Sequence, residues 1–245
     1  MPDKTIALTK ELKEFSLAAG ADLFGVADLA PVRQVVASQG PPRMAGFPRA
    51  VSIGMGLNDE IVDSHSPLET RRDSLYWHHV YSVVTASLDF HAYRVSRWLA
   101  GRGFRALPVP GSSPYNQEKL EGIFSHKLAA HLAGLGWIGK SCLLVTPEHG
   151  PRVRWATVLT TAPLEPTAKG PTPERCGTCT ACVEICPVHA FSGRPFQPEE
   201  PREARFDALH CDGYQARLQA KCGIRACGLC LYVCPFGQKA AKNPQ

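Results

Sequence analysis

The sequence predicts an α+β fold in which a mixed helix–strand region is followed by a short cysteine-rich region. Apolar residues recur at helical spacing in three segments and at strand spacing, or as short apolar runs, in several others. Because helices and strands do not alternate strictly along the chain, α+β is favoured over α/β. Nine of the ten cysteines follow Arg175, in a region with few long apolar side chains. We therefore expect this last region to depend on bound metal for its folding.

The first predicted element is an amphipathic helix over about the first twenty residues, with apolar residues at i, i+4, i+7 and i+11 and Gly20 at its end. Two further helices are predicted by the same spacing, over residues 75–100 and 119–133. Strands are predicted where apolar residues alternate or form short runs, and loops where glycine, proline and serine cluster. The strands cover residues 23–27, 50–57, 104–109, 143–145 and 153–159, and the loops cover 111–116 and 134–140.

Composition restricts the class of protein further. A chain of 245 residues with 44% hydrophobic and 20% charged residues is typical of folded domains, which excludes general disorder. The sequence contains neither an apolar run long enough to span a bilayer nor a secretory signal, so we expect a cytoplasmic protein without membrane contact. The net charge of +5 permits an anionic partner but does not require one. Proline-rich sequence from residue 163 predicts two domains, 1–165 and 166–245.

Two cysteine runs carry the strongest functional signal. The first has the spacing C-x2-C-x2-C-x3-C-P and consists of Cys176, Cys179, Cys182 and Cys186. The second, C-x2-C-x3-C-P, consists of Cys227, Cys230 and Cys234. Cys-x-x-Cys pairs also bind zinc, but the repeated x3-C-P ending is typical of proteins that bind two [4Fe–4S] clusters. The sequence therefore predicts two such clusters rather than zinc.

Two four-iron clusters need eight thiolates, and the spacing assigns seven of them. In the ferredoxin pattern the last cysteine of each run binds the cluster of the other run. One predicted cluster thus takes Cys234 together with the first three cysteines of the first run. The other cluster takes Cys186 from the first run, two cysteines of the second run and an eighth ligand. Spacing alone leaves the eighth ligand open between Cys211 and Cys222.

Beyond the motifs, the chain resembles the epoxyqueuosine reductase family, which shares its catalytic core with corrinoid-dependent reductive dehalogenases. The resemblance rests on both cysteine runs and on four stretches in the same order, one of them Gly-Leu-Gly-Trp-Ile-Gly-Lys: residues 12–15, 20–27, 133–140 and 147–150. It implies a nitroreductase-like α+β domain, a two-cluster ferredoxin-like domain and a bound cobalamin. It also implies Cys211 as the eighth ligand, because Cys211-Asp-Gly-Tyr matches a segment of the family. Cys222 is then the spare cysteine.

The resemblance implies a reductase that receives electrons from a low-potential donor such as a ferredoxin or flavodoxin. Its clusters would pass them to the cobalamin, which reduces a small substrate. Two alternatives stay open: a flavin-dependent reductase that holds FMN on the same scaffold, and an electron-transfer protein that reactivates a separate corrinoid protein. The family members that act on tRNA continue into a helical-repeat region, whereas this sequence ends at Gln245. We therefore expect a short relative that does not use tRNA.

Several residues outside the cysteine runs are candidates for the site. The family's catalytic aspartate corresponds most closely to Leu120, so the adjacent Glu121 is the candidate acid. His126 is a candidate proton donor or cofactor contact, against the alternative of an ordinary helix residue. The candidate cofactor-binding residues lie just before and within the glycine-rich loop: Ser125, His126, Gly134, Gly136, Trp137, Gly139 and Lys140. The alternatives for these are a tight turn, a core tryptophan and a surface lysine.

Overall fold

The computed structural model describes residues 2–64, 74–112 and 114–241. Helix formation follows the apolar spacing in α1, whose end is marked by Gly20 at a positive φ of 101°. A π-helical segment, His78–Val84, joins α4 to α5, so that 75–100 is helical throughout as predicted. The α-helices are α1 Pro2–Ala18, α2 Arg33–Gln39, α3 Asp59–Asp63, α4 Leu75–Trp77, α5 Thr85–Ala100, α6 His126–Leu132, α7 Ala181–Glu184, α8 Ala208–Cys222, α9 Leu229–Tyr232 and α10 Pro235–Ala241.

The strands form one four-stranded sheet and two short ribbons. The strands are β1 Leu23–Asp28, β2 Arg49–Gly56, β3 Ala106–Val109, β4 Pro114–Asn116, β5 Glu121–Gly122, β6 Trp137–Ile138, β7 Leu144–Val145 and β8 Val153–Thr160. The sheet has the order β1-β2-β8-β3, with β1 antiparallel to β2 and β3 antiparallel to β8. The ribbons pair β4 with β5 and β6 with β7, both antiparallel. This mixture confirms the predicted α+β class.

Contacts divide the chain into two units, and each is built from separate stretches of sequence. Unit 1 contains the four-stranded sheet and comprises Met1–Met55, Val84–Leu135 and Arg154–Thr172. Unit 2 contains every cysteine and comprises Gly56–Val83, Gly136–Val153 and Pro173–Gln245. The predicted domains 1–165 and 166–245 did not anticipate that residues 56–64, 74–83 and 136–153 belong to the same unit as the cysteine-rich region. That linear boundary stays a prediction.

Unit 1 is a sheet covered by helices. Helices α1 and α6 pack against β1, and α5 packs against β3. Strands β1, β2 and β8 are buried for most of their length, and Val26, Ile53 and Leu159 are fully buried. One buried polar pair links the two longest helices of this unit: the Ser16 hydroxyl lies 2.9 Å from Nε2 of His91.

The helix predicted over 119–133 is wrong in its first half. Residues 114–122 form the β4–β5 ribbon, and the helix begins only at His126. The Asn116 side chain accepts a hydrogen bond from the Lys119 N–H at 3.0 Å, and Leu120 adopts a positive φ of 53°. A right-handed helix does not contain a positive φ, so no helix can run through Leu120. The Ser125 hydroxyl then caps the shorter helix by accepting from the Leu128 N–H at 3.3 Å.

The last three residues of the predicted loop over 111–116 form strand β4, and Ser113 of this loop lies outside the described residues. Across the described ranges 2–64, 74–112 and 114–241, no helix combines the length and apolarity needed to cross a membrane.

Candidate iron–sulfur centres

Four cysteines of unit 2 line a single pocket, which we call site A: Cys176, Cys179, Cys182 and Cys234. The first three come from the first cysteine run, in which Cys176 and Cys179 precede α7 and Cys182 lies within it. The fourth comes from the end of the second run, directly before α10. Burial raises the pKa of the Cys182 thiol to about 11, and the neighbouring thiols of Cys176 and Cys234 add to the shift. Cys234 of the second run therefore lies with the first three cysteines of the first run, as the predicted exchange of ligands requires.

The other four predicted ligands also gather in unit 2, and we call them site B: Cys186, Cys211, Cys227 and Cys230. Cys186 is buried and packs with Cys211 and Cys230 against Phe191. The pKa of Cys230 is strongly raised, first by burial and then by the nearby Cys227 and Cys211 thiols. Site B therefore joins the last cysteine of the first run to the first two cysteines of the second run.

The structure separates the two candidates for the eighth ligand. Cys211 lies on the first turn of α8, and Cys227 and Cys186 are close enough to raise its pKa further after burial. Cys222 is exposed at the far end of the same helix, and its thiol donates to the Leu218 carbonyl at 3.1 Å. The geometry thus places Cys211 with site B and Cys222 outside both sites.

The donor set fits iron–sulfur clusters. Each site supplies four thiols; of the eight, Cys186 is buried, Cys179 is exposed and the other six are half-buried. Within the described ranges, no three His, Cys, Asp or Glu side chains converge tightly enough to hold a single metal ion. Thiolates are the ligands of [4Fe–4S] clusters, and a bound iron would displace the protons that burial otherwise retains on these thiols.

The second half of the glycine-rich loop lies against site A. Lys140 donates its Nζ hydrogens to the carbonyls of Gly177 and Cys179, at 2.6 and 3.1 Å. Gly139 lies close to the same loop: a Cβ there would lie 3.4 Å from the Cys176 sulfur and 3.0 Å from a methyl group of Val145. Lys140, a candidate cofactor contact from its sequence position, thus binds the cysteine loop itself.

At two other glycines of this loop, the backbone packs closely against other parts of the chain. A Cβ on Gly136 would lie 2.2 Å from the Val145 carbonyl oxygen, and one on Gly134 would lie 2.4 Å from the Ala168 side chain. The Gly134 carbonyl also accepts from the Thr172 hydroxyl at 3.0 Å. These contacts show self-packing, and they match the tight turn that the sequence analysis kept as the alternative. The role of these glycines in binding a cofactor stays a prediction.

His126 lies in unit 1 at the first position of α6, and both of its ring nitrogens have partners. Nδ1 is 2.8 Å from the Thr157 hydroxyl, and Nε2 is 3.1 Å from the Pro110 carbonyl oxygen. Burial lowers the pKa of His126 to about 4. The ring is therefore neutral near pH 7, with a hydrogen on Nε2 that the carbonyl accepts, while Nδ1 accepts from the hydroxyl. Ser125 beside it is occupied as the helix cap, and Glu121 lies in the short strand β5.

Sequence reasoning missed a buried arginine in unit 2. The Arg152 side chain is 1% exposed and contacts the carboxylates of Asp59 and Asp63, each at 2.6 Å. Its side chain also occupies the space where a Cβ of Gly237 would lie, 2.9 Å from Nε, just after Cys234. The one available signal was the pair of aspartates four residues apart, which share one face of a helix. That spacing does not reveal the distant arginine.

A second contact that the sequence did not reveal lies beside site B. Gly228, between Cys227 and Cys230, has a positive φ of 70°, and a Cβ there would lie 2.5 Å from the Tyr76 hydroxyl. Tyr76 is 3% exposed and belongs to the segment 76–81, which the sequence analysis treated as ordinary helix. Its phenol thus packs against the backbone of the second cysteine run.

Comparison with known proteins agrees with this geometry. Residues 175–237 match the family of 4Fe-4S double cluster binding domains, so the chain is a two-cluster iron–sulfur protein that combines such a domain with an α+β sheet unit. The more particular likeness is to epoxyqueuosine reductases, which confirms the resemblance predicted from the sequence. The epoxyqueuosine reductase of Synechococcus sp. (strain CC9605) is 30% identical over 196 residues, covering 77% of this chain and 56% of that protein.

Solved structures support the same fold. An epoxyqueuosine reductase with a tRNA-Tyr epoxyqueuosine-modified tRNA stem loop matches with a TM-score of 0.60 and 22% identity, covering 95% of this chain and 66% of that one. A reductive dehalogenase, whose structure suggests a mechanism for B12-dependent dehalogenation, matches with a TM-score of 0.63 and 17% identity, covering 94% and 33%. At these identities the likeness establishes the fold. The chain spans about half the length of the curated relatives it matches.

Proposed function

We propose that this protein is an iron–sulfur oxidoreductase that holds two [4Fe–4S] clusters and passes low-potential electrons through them. The observation that supports it most strongly is the sorting of eight cysteines into sites A and B, each drawn from both cysteine runs. In this proposal Cys234 completes the cluster of the first run and Cys186 completes that of the second, with Cys211 as the eighth ligand. The exchange ties both runs together and brings the clusters close enough for electrons to pass between them.

The surroundings of the sites suit this role. Reduction adds negative charge to a cluster, and hydrogen bonds and nearby cations favour the reduced form. Site A has the Lys140 ammonium on its cysteine loop, and the buried Arg152 charge favours the thiolate of Cys234. A ferredoxin or flavodoxin is the electron donor that we propose, since both carry electrons of low potential.

We propose cobalamin as the electron acceptor, because the B12-dependent dehalogenase shares the fold. A bound cobalamin would supply the reductive chemistry at its cobalt ion. The residues predicted to bind it do not form an open cradle in the described parts of the chain: Gly134 and Gly136 pack against the chain itself, and Ser125 and Lys140 already have partners. We therefore assign no residue of this chain to the cobalamin, and FMN remains the competing cofactor.

The substrate is proposed in two versions. A small organic molecule or a separate corrinoid protein is the version that the sequence favours, with His126 or Glu121 as the predicted acid. The second version is epoxyqueuosine in tRNA, which the names of the relatives and the stem-loop structure support. For the first version, His126 is better suited to positioning than to proton donation, because its Nε2 hydrogen is directed to the Pro110 carbonyl.

Anaerobic reconstitution with iron and sulfide tests the cluster assignment. The wild-type protein should bind close to eight irons per chain, as two four-iron clusters require. Cys211→Ser should lose the site B cluster and retain roughly half of the iron, whereas Cys222→Ser is the matched control on the same helix and should retain it all. Iron loss in Cys222→Ser but not in Cys211→Ser would contradict the ligand assignment, and stoichiometric zinc would contradict the proposed function.

Titration of the reconstituted protein with hydroxocobalamin and with FMN separates the proposed cofactors. A saturable change in the cobalamin spectrum, without binding of flavin, is the expected result. Binding of neither would favour an electron-transfer protein without a substrate of its own. Turnover that depends on an epoxyqueuosine-containing tRNA stem loop would establish the tRNA version, and we expect none.

A further inference from the structure

The buried ion pairs of unit 2 lie beside the end of the second cysteine run. Arg152 donates from its two terminal nitrogens to the carboxylates of Asp59 and Asp63, each at 2.6 Å. The arginine side chain is 1% exposed, whereas the two aspartates are 41% and 45% exposed. A buried cation is costly unless it is paired, so the carboxylates determine where this side chain can lie.

The backbone of Arg152 is tied to the same helix as its side chain. Its carbonyl accepts from the Leu57 N–H at 2.8 Å, two residues before α3. Asn58 caps that helix, since its side chain accepts from the Ile61 N–H at 3.1 Å. Charge-assisted hydrogen bonds from both nitrogens of one guanidinium also fix its orientation. Arg152 is therefore held against the start of α3 at both its backbone and its side chain.

The inner edge of the guanidinium packs against the first turn of α10. A Cβ on Gly237 would lie 2.9 Å from Nε of Arg152, and one on Gly150 would lie 2.3 Å from the Gly237 nitrogen. Among the described residues, this buried Nε has no hydrogen-bond acceptor, so the carboxylates at the other end keep the edge in place. Gly237 in turn donates its N–H to the Cys234 carbonyl at 3.0 Å. Direct contacts thus lead from α3 to Cys234.

We propose that Arg152 is a positioning residue that, held by Asp59 and Asp63, fixes Cys234 as the fourth ligand of site A. The inference rests on the proposed cluster at site A and is independent of cobalamin. Cys234 comes from the second cysteine run, so the spacing of the first run does not place it. Residues that orient a metal ligand are needed for tight metal binding although they do not touch the metal.

Release of iron to a chelator, measured on full chains that hold one cluster each, tests the proposal. By the proposed ligands, Cys211→Ser leaves only the site A cluster and Cys179→Ser leaves only the site B cluster. In Cys211→Ser, adding Arg152→Met should speed iron release about tenfold, as expected for a residue that orients a ligand. In Cys179→Ser, the same addition should leave the rate unchanged. Arg49→Met is the matched control, because Arg49 also pairs with an aspartate, Asp28 at 2.7 Å, but in unit 1.

The two single-cluster chains separate positioning from a general loss of stability, which would speed release from both sites. Faster release from site A alone supports the proposal. Unchanged release from site A in Arg152→Met would overturn it, as would equal acceleration at both sites. Arg152→Lys keeps the buried charge and should restore part of the slow release, and a rate as fast as that of Arg152→Met would contradict the part assigned to the carboxylates. Wild-type protein that binds no cluster would overturn the proposed function itself, which distinguishes the two failures.

A second variant keeps the proposal testable if Arg152→Met fails to fold. Gly237→Ala keeps every charge, but its methyl group would lie 2.9 Å from Nε of the buried arginine, so one of the two must move. In Cys211→Ser, Gly237→Ala should also speed iron release. Gly213→Ala on α8 should not, because its methyl group would meet only the flexible end of Arg217 at 3.8 Å. Equal rates of release from the two alanine variants would overturn the proposal.

Discussion

The half-buried His126 ring should make the stability of the protein depend on pH, and replacing His126 should remove that dependence. Burial lowers its pKa from 6.5 to about 4 in the folded chain. Between these two values the unfolded chain binds a proton that the folded chain does not, so stability increases with pH there. The contribution of His126 is thus fully present above about pH 6.5 and decreases as the pH falls towards about 4.

The size of the effect follows from the shift. Between about pH 8 and about pH 5, His126 should account for a loss of roughly 2 kcal/mol in the free energy of unfolding. His126→Gln, which cannot take up this proton, should show a pH dependence smaller by that amount. His210→Gln is the control, since that side chain is 72% exposed on α8 and its replacement should leave the pH dependence unchanged.

Two measurements check this reasoning. Urea unfolding of the anaerobic protein at several pH values gives the difference in slope between the variants. Nuclear magnetic resonance of ¹⁵N-histidine-labelled protein, with the signal assigned by its loss in His126→Gln, should show a neutral ring with hydrogen on Nε2 down to about pH 5. A midpoint near 6.5, or equal slopes in His126→Gln and wild type, would refute the assignment of a neutral, positioning histidine.

Three further substitutions test contacts of unit 2. Lys140→Met removes two hydrogen bonds to the site A loop, so we expect the loop to be about 1 kcal/mol less stable and to release iron faster to a chelator. The rate of iron release from Lys140→Arg should lie between those of Lys140→Met and wild type. Gly228→Ala should lose site B iron because its methyl group would collide with Tyr76. Gly223→Ala is the control, since both glycines have a positive φ but the space around Gly223 is open. Arg152→Met should lower the free energy of unfolding, measured with urea, by roughly 1–3 kcal/mol because hydrogen bonds to two carboxylates are lost, and an unchanged value would contradict a structural role for its ion pairs.

The sequence predicted what depends on local spacing. Helices α1 and α5, strands β1 and β2 and the two cysteine runs follow from periodicity or motif, and each lies where it was expected. The ribbon at 114–122 was missed because its signal is the turn at Asn116 and the positive φ of Leu120, while its apolar residues also fit a helix. Turn conformation is decided by side-chain hydrogen bonds that hydrophobic spacing does not reveal.

The same distinction between local spacing and long-range contacts applies to the candidate sites. Motif spacing predicted which cysteines share a site, and spacing alone could not choose between Cys211 and Cys222. The structure places Cys211 with site B because it lies near the start of α8 and Cys222 lies at its end. The contacts of Lys140 and Arg152 join residues far apart in sequence, so one sequence carries no signal for them. Glycines in the loop at 134–140 were predicted to bind a cofactor, whereas the structure shows Gly134 and Gly136 packed against the chain itself.

The iron–sulfur ligands also explain how the cysteine-rich region holds its shape. Helices α7 and α9 have four residues each, which is too short to be stable alone, and α8 has fifteen residues without a buried side chain. Residues 211–216 are only half-buried, so side-chain burial holds α8 weakly, and its polar contacts with the rest of unit 2 include those of Arg225 with Asp212 at 2.6 Å and with Gln219 at 3.4 Å. An exposed ion pair contributes at most about 1 kcal/mol. The bond from iron to Cys211 would accordingly be the main constraint on this helix, so that assembling the site B cluster and folding α8 become a single event.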